Sequence, residues 1–249
     1  MVLNGKVTPP ATETPQRLIC YYSRLFFLLL LLMAPTQIKI CGITRQEDAR
    51  IAVDCGANAI GLVFYRASAR AVTAQQAAEI VRGLPPFVSV VALFVDEPAD
   101  EIRRTLKSIP IDVLQFHGDE SAAFCEQFDR PWIKAIRMKS DIALDDIAAS
   151  YPRARALLLD SWEEGVPGGT GKTFDWQRAD QALPLPLVLA GGLNAGNVGQ
   201  AIAALQPAAV DVSGGVEAAP GIKDPEKIRQ FVAAVRHADR LISGVSDEQ

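Results

Sequence analysis

The strongest constraint on the fold is a repeated alternation of short β-rich apolar runs and amphipathic segments, which starts at Gln37 and continues to Leu241. This alternation predicts repeated βα units built around a parallel sheet. The sequence contains eight strand candidates, at 37–41, 59–64, 88–95, 112–118, 132–137, 155–160, 187–192 and 209–214.

Amphipathic segments of helical length follow each of these strands. Thr44, Thr73, Asn194 and Asp224 precede four of them and are residue types that favour helix N-caps. Together the units predict an α/β fold with a single (β/α)8 TIM barrel over residues 36–243 and a tail at 244–249. An open doubly wound sheet stays as the alternative, although no GxGxxG motif follows the first strand. The helix candidates are 45–54, 74–82, 99–106, 120–128, 141–150, 175–183, 195–205 and 225–241.

Residues 1–35 are predicted to form a non-barrel N-terminal extension that is disordered or not part of the functional protein. The extension ends in the apolar run Leu25–Ala34, which is shorter than the roughly 20 residues that span a bilayer. A targeting or anchoring role stays open because Arg24 precedes the run, but no small-residue cleavage site follows it. The other hypothesis is that the functional protein begins at Met33.

The composition limits the kinds of partner. With 249 residues and 49% hydrophobic content, the chain can bury a full core. Its net charge of -4 gives no electrostatic reason to expect a nucleic acid or an anionic membrane as a partner. We expect a small-molecule substrate, and a monomer or a homodimer. Neither a CxxC pair nor a metal-ligand spacing is present, so we predict no metal and a reduced, cytoplasmic setting for the cysteines, Cys20, Cys41, Cys55 and Cys125.

Polar residues at the predicted strand ends indicate a site. Reactive groups of a (β/α)8 barrel lie at the carboxyl ends of its strands. Strand alternation directs Lys39 and Cys41 into the barrel and places Asp160 at the inward tip of the sixth strand. Alone, Cys41 would be interpreted as a small buried hydrophobe and Asp160 as a loop carboxylate. Their shared rim favours a site instead, and the same parity turns four further polar residues inward, Gln115, His117, Asp211 and Ser213.

Two glycine-rich loops are suited to hold phosphate. "AGGLN" at 190–194 and "DVSGGVE" at 211–217 follow the seventh and eighth strands, where barrels of this type bind phosphoryl groups through backbone N–H groups. The longest loop, 161–176, carries "GGTGK", but Val166 stands where a P-loop requires glycine. We predict that this loop is a lid over the site and that it does not bind ATP.

Six motifs occur in order between Gln37 and Leu241: "KICGIT", "SARAV", "QFHGDE", "LLLDSWEEGVPGGTGKTFDW", "LAGGLNAGNV" and "VDVSGGVEAAPGIKD". In these motifs and their spacing the sequence resembles the phosphoribosylanthranilate isomerases of tryptophan biosynthesis. The resemblance implies a cofactor-free Amadori rearrangement. It would convert N-(5-phosphoribosyl)anthranilate to 1-(o-carboxyphenylamino)-1-deoxyribulose 5-phosphate.

The resemblance also implies catalytic roles for two residues. Cys41 would be the general base that removes the C2 proton of the opened sugar. Asp160 would be the general acid that protonates the ring oxygen as the ring opens. We expect the ammonium group of Lys39 to favour the thiolate form of Cys41.

Substrate recognition is divided between the two ends of the molecule. Arg70, favoured over Arg66 by the "SxR" alignment, would bind the anthranilate carboxylate through its planar fork. Gln115 and Asp211 would line the pocket. Where the family usually has "SSG", this chain has Gly214, which lacks a hydroxyl, and a modest rise in KM is expected. The phosphate would lie on the backbone near Gly191, Gly192, Ser213 and Gly214.

Two rival functions stay open at this point. An isomerase of histidine biosynthesis performs the same chemistry on a larger substrate, but it would have an aspartate in place of Cys41 and a second phosphate site. A barrel that binds a phosphorylated ligand without turnover, or a protein tethered through residues 25–34, is the more distant alternative. The presence of both Cys41 and Asp160 argues against loss of catalysis.

Overall fold

The structure is a computed structural model that describes residues 34–139, 142–161, 175–179 and 183–244. Three predictions fall on other parts of the chain. The N-terminal extension up to residue 33, most of the proposed lid at 162–174, and the tail at 245–249 lie outside the described residues.

Eight parallel strands form a closed barrel in which each strand pairs with the next and β8 pairs with β1. The predicted (β/α)8 fold is therefore confirmed, and the open doubly wound sheet is excluded because the last strand pairs with the first, so none of the eight strands is an edge. The strands are β1 Gln37–Cys41, β2 Ala59–Val63, β3 Ser89–Phe94, β4 Val113–Phe116, β5 Trp132–Arg137, β6 Leu157–Asp160, β7 Leu187–Leu189 and β8 Ala209–Val212.

Helices connect the strands on the outside of the barrel. A two-stranded hairpin, β9 Glu217–Ala219 and β10 Ile222–Lys223, follows β8, and 3-10 turns occupy Trp176–Ala179 and Gly214–Val216. Among the described residues, no helix is long and apolar enough to cross a membrane. The helices are α1 Gln46–Asp54, α2 Ala74–Val81, α3 Ala99–Ser108, α4 Ala122–Cys125, α5 Leu144–Ser150, α6 Val198–Leu205 and α7 Pro225–Ser243.

Two of the predicted helix caps are confirmed and two are wrong. Thr73 closes a capping box on α2, and Asp224 accepts hydrogen bonds from two backbone N–H groups of α7. Thr44 does not cap α1, because its hydroxyl donates to the carbonyl of Gly221 in the hairpin loop. Asn194 instead stabilises a turn before α6 by accepting from Gly196.

The helix after β4 is much shorter than the predicted 120–128. Glu120 cannot start a helix because its carboxylate accepts hydrogen bonds from the backbone N–H groups of Asp96 and Gly118 and lies beside Lys134. Ser121 then caps the short α4 by accepting from Phe124. Glu120 is thus held by neighbouring loops and by β5, and the helix begins only at Ala122.

The strand parity sorts apolar and polar groups as predicted. Ile38 and Ile40 are buried in the layer between barrel and helices, whereas Leu158 and Val188 fill the interior of the barrel. Polar side chains replace this apolar filling toward the carboxyl ends of the strands. The fold therefore creates a polar chamber at one end of a hydrophobic barrel.

Candidate active site

A cavity of about 520 Å³ opens at the carboxyl ends of the barrel strands. Its wall contains every residue that the sequence analysis assigned to the site, from loops on opposite sides of the barrel. These residues are Cys41, Arg70, Gln115, Asp160, Gly191, Gly192, Asp211, Ser213 and Gly214.

Cys41 ends β1 with its side chain in the cavity wall and only 6% of the residue exposed. Lys39, on the same face, forms a buried ion pair with Asp211 of β8, Nζ to Oδ2 2.9 Å. Gly61 is the β2 partner of Cys41. A Cβ atom on Gly61 would lie 2.8 Å from Sγ of Cys41 and 3.0 Å from Nζ of Lys39. The glycine therefore provides the space in which the thiol and the ammonium group meet.

The sequence analysis expected Lys39 to favour the thiolate of Cys41, but the pKa of the thiol is raised above its ordinary value. Burial raises the pKa of its thiol, Lys39 lowers it, and the net shift is upward. The expected direction of the Lys39 effect holds, but desolvation outweighs it. Burial would lower the pKa of Lys39, yet Asp211 and Cys41 raise it above the ordinary value, so Lys39 stays an ammonium ion.

Asp160 belongs to a chain of hydrogen bonds on the opposite side. Its Oδ2 lies 3.2 Å from Nε2 of His117, and Nδ1 of His117 lies 3.2 Å from Nε2 of Gln115. An amide nitrogen can only donate, so Nδ1 accepts and Nε2 of a neutral imidazole carries the hydrogen toward Asp160. The sequence analysis placed all three side chains inward but did not anticipate this contact, which orients the carboxyl group.

Two buried acceptors belong to side chains that line the cavity. Oε1 of Gln115 and Oδ1 of Asp211 have no hydrogen-bond partner among the described residues, although both side chains line the cavity. Buried polar atoms are rarely left unsatisfied in native proteins. A ligand with hydroxyl or N–H donors would satisfy both atoms.

The loop after β7 packs against the loops after β6 and β8. Gly191, after β7, has φ +80°, and a Cβ atom there would lie 2.2 Å from the backbone nitrogen of Ser161, after β6. A Cβ atom on Gly215, after β8, would lie 1.9 Å from the carbonyl oxygen of Leu193, after β7. Side chains are thus excluded at both contacts between loops, and the backbone itself lines this part of the cavity.

Arg70 reaches the cavity from the loop after β2 and forms a bidentate ion pair with Glu217. Its Nε and Nη2 donate to Oε1 and Oε2, each at 2.8 Å. Lys223, with a fully buried side chain, lies 2.8 Å from Oε1 of Glu217. Sequence reasoning missed Glu217 and Lys223. Both lie in the last family-like motif, but they occupy an irregular hairpin whose spacing predicts no contact.

Potential metal ligands do not cluster in the described part of the chain, where no group of three or more His, Cys, Asp or Glu side chains could hold an ion. The site is therefore built from a thiol, a carboxyl group, cationic side chains and backbone loops.

Comparison with known proteins gives a consistent result. The family model described as N-(5'phosphoribosyl)anthranilate (PRA) isomerase matches residues 38–234. The N-(5'-phosphoribosyl)anthranilate isomerase of Alcanivorax borkumensis is 55% identical over 220 residues, which cover 86% of this chain and 100% of that protein.

Solved structures of isomerases share the fold. Phosphoribosyl anthranilate isomerase from Thermotoga maritima matches with a TM-score of 0.75 and 38% identity over 81% of this chain and 99% of that chain. A phosphoribosyl anthranilate isomerase in complex with reduced 1-(o-carboxyphenylamino)-1-deoxyribulose 5-phosphate matches with a TM-score of 0.70 and 36% identity, again over 81% and 99%. With the matched family model and these relatives, the chain belongs to the phosphoribosylanthranilate isomerase family.

Proposed function

We propose that this chain isomerises N-(5'-phosphoribosyl)anthranilate in tryptophan biosynthesis, with Cys41 as general base and Asp160 as general acid. Family membership supports the reaction. The observation that carries the assignment of roles is that the thiol and the carboxyl group end β1 and β6 and line one cavity. A related isomerase has been solved with a reduced product analogue.

Asp160 is assigned to the first step, the opening of the sugar ring. A proton must reach the ring oxygen as the C1–O bond breaks, and the anthranilate nitrogen then forms a Schiff base with C1. A carboxyl group supplies such a proton when it lies within hydrogen-bond reach. Contact with Nε2 of His117 at 3.2 Å keeps the Asp160 side chain in one orientation at the cavity wall.

Cys41 is assigned to the second step, removal of the proton on C2. The resulting enolamine becomes the ketone when C1 gains a proton and the C2 hydroxyl loses one, so substrate and product are isomers and no atom is gained or lost. Only the thiolate can act as the base, and burial opposes it in the free protein. The Lys39 ammonium favours it, and a protonated Schiff base bound beside the sulfur would add a second positive charge.

The remaining cavity residues are proposed to hold the substrate. Arg70 is assigned to the anthranilate carboxylate, and Val63, Leu93 and Tyr65 form an apolar cluster with Cys41 that suits the aromatic ring. The open oxygens of Asp211 and Gln115 are assigned to donor groups of the substrate. The phosphate is assigned to the backbone of the two glycine loops, at Gly191, Gly192, Ser213 and Gly214.

We further propose that residues 36–243 form the catalytic domain and that it works in the cytoplasm as a monomer or a homodimer. These statements stay predictions. Fractionation of the native host and sedimentation of the purified chain would test them.

Complementation of a tryptophan auxotroph that lacks this isomerase tests the proposed reaction. Wild type and a shortened chain beginning at Met33 should restore growth, whereas Cys41→Ala should not. Immunoblots would confirm equal soluble expression. If neither intact form restores growth despite soluble expression, the substrate assignment is wrong, and a histidine auxotroph would be tested next.

A further inference from the structure

The hairpin after β8 carries a glutamate that holds Arg70 along one edge. Glu217 accepts from Nε and Nη2 of Arg70 at 2.8 Å each. Its Oε1 also accepts from Nζ of Lys223 at 2.8 Å and from the backbone nitrogen of Gly221 at 3.3 Å. Donors from three residues, Arg70 in the loop after β2 and Gly221 and Lys223 in the hairpin itself, therefore fix the position of one carboxylate.

Both partners of the carboxylate are cations, and the cluster is strongly buried. The side chains of Arg70, Glu217 and Lys223 are 20%, 5% and 0% exposed. Burial would raise the pKa of Glu217, but Arg70 and Lys223 lower it below the ordinary value, so it stays a carboxylate. Burial lowers the pKa of Lys223, and Glu217 opposes that shift. Two cations and one anion give the cluster a net charge of +1, and Arg70 is the cation of the cluster that lines the cavity.

The hydrogen bonds to Glu217 determine which edge of the guanidinium group remains available. A guanidinium group has N–H donors along more than one edge of its planar fork. Glu217 occupies the edge formed by Nε and Nη2, while Nη1 has no hydrogen-bond partner in the described part of the chain. A Cβ atom on Gly42 would lie 2.6 Å from Cδ of Arg70, so the aliphatic stem packs closely against the backbone that follows β1.

Lys223 connects this cluster to the proposed phosphate loop. Its Nζ also lies 3.2 Å from the carbonyl oxygen and 3.4 Å from Oγ of Ser213. Ser213 lines the same cavity as Arg70. Lys223 therefore contacts both Glu217, which holds Arg70, and Ser213, in the loop that we propose binds the phosphate.

We propose that Glu217 is a positioning residue that presents the free edge of Arg70 to the carboxylate of the substrate, with Lys223 tying this arrangement to Ser213. The inference rests on the proposed function, because it assumes a substrate with an aryl carboxylate. Carboxylate recognition then depends on the geometry of Arg70 more than on its charge. Removing the negative charge of Glu217 should therefore weaken binding, although it leaves the cavity more positive.

Glu217→Gln tests the proposal because it keeps the shape of the side chain and removes the charge that holds both cations. Calorimetric titration would measure the affinities of two probes, anthranilate and inorganic phosphate. We expect the Kd of anthranilate to rise about tenfold and that of phosphate to change less than about threefold. In turnover, the KM should rise about tenfold while kcat stays within about threefold.

A double-mutant cycle separates positioning from general support of the fold. Arg70→Lys removes the planar fork, so Glu217→Gln should add less than about twofold to the anthranilate Kd in that background. Additive losses would mean that Glu217 does not act through Arg70. Glu217→Asp keeps the charge but is one methylene shorter, and a rise in Kd is expected there too, which provides a second test if Glu217→Gln does not fold.

Glu120→Gln is the matched control. It alters the other buried lysine–glutamate pair of the barrel, Glu120 with Lys134, and neither residue lines the cavity. The anthranilate Kd should be unchanged in this variant. An unchanged or tighter anthranilate Kd in folded Glu217→Gln would overturn the inference, whereas a wild type that binds but does not isomerise the substrate would overturn the proposed function instead.

Discussion

The two sides of the cavity hold their polar groups by different means. On the side of β8, β1 and β2, the side chains form ion pairs, Lys39 with Asp211 and Arg70 with Glu217. On the side of β4 and β6, Asp160 ends a chain of hydrogen bonds through His117 to Gln115. The proposed base thus lies among paired charges, and the proposed acid lies beside an imidazole.

Two buried lysine–glutamate pairs in the described part of the chain differ in what they touch. Lys223 and Glu217 contact Arg70 and Ser213, which line the cavity. Lys134 lies 3.0 Å from Glu120 and contacts backbone carbonyls of the β4 loop, with the ring of Tyr151 5.8 Å away. In the arrangement that we propose, the first pair supports substrate recognition and the second supports the scaffold. The neighbours of a pair, not its chemistry alone, decide its role.

The largest effect should come from the acid side. Asp160→Ala should lower kcat by about 10²–10⁴-fold, because general acid catalysis contributes on that order. Affinity for the reduced product analogue should change little, since other residues hold both ends of the ligand. Steady-state kinetics with titration of the analogue would check this, with Cys55→Ala as a control outside the cavity. Full turnover by Asp160→Ala would remove the carboxyl group from the mechanism.

Lys134→Met should sharpen the contrast between the two lysine–glutamate pairs. It removes the ion-pair partner of the buried Glu120 carboxylate, and breaking a buried pair typically costs about 3–5 kcal/mol of stability. Urea denaturation should show this loss, while the KM stays within about twofold. Lys223→Met, measured in parallel, should raise the KM. Similar KM changes in both variants would abolish the distinction.

Gly61→Ala should disturb the base side through space alone. The added Cβ atom would press on Sγ of Cys41 at 2.8 Å and on Nζ of Lys39, so kcat should fall by about ten- to a hundredfold, as expected for a misplaced catalytic group. Gly199→Ala is the control, because its Cβ atom would meet only Ala238, at 3.9 Å. Equal activities of the two variants would show that Cys41 needs no such space.

Lys39→Met should shift the pH profile of kcat/KM. The Lys39 cation lowers the pKa of Cys41 against the effect of burial, so its removal raises that pKa further. The rising limb of the profile, which reports formation of the thiolate, should therefore move to higher pH. Lys107→Met is the control, because Lys107 lies in the last turn of α3, and it should leave the rising limb at the same pH. An unmoved limb in Lys39→Met would exclude this tuning.

The smallest effect concerns the phosphate loop. Gly214→Ser adds a hydroxyl to the proposed phosphate loop, and the KM should fall by about two- to threefold, within the range of one hydrogen bond. Gly214→Ala tests whether an added β-carbon without a hydroxyl lowers the KM to the same extent. If the serine and alanine variants behave alike, the hydroxyl does not touch the phosphate.

Much of the fold follows from short-range patterns. The two-residue period of the strands was enough to turn Lys39, Cys41 and Asp160 inward, and the closed barrel followed from the number of βα units. The short α4 could not be predicted in this way, because Glu120 is held by Asp96 in the loop after β3 and by Lys134 in β5. Local helix propensity contains no information about such distant partners.

The candidate site was predictable only where it lies on strands. Asp211 and Gln115 follow from parity, but the Glu217–Lys223 pair depends on a hairpin inside a loop, where no period applies. The upward shift in the pKa of Cys41 was missed for a related reason. The sequence placed a cation beside the thiol, but only the packed barrel shows how strongly burial opposes the thiolate.

The most direct test of the central claim is single-turnover product formation by wild type, Cys41→Ala and Cys41→Asp. If Cys41 is the base, the alanine variant should bind substrate but lose about 10²–10⁴-fold in rate. The aspartate variant, which restores a proton acceptor at the same strand end, should recover at least about tenfold of that loss. An alanine variant that turns over as fast as wild type would contradict the account, because the thiol would then only fill space.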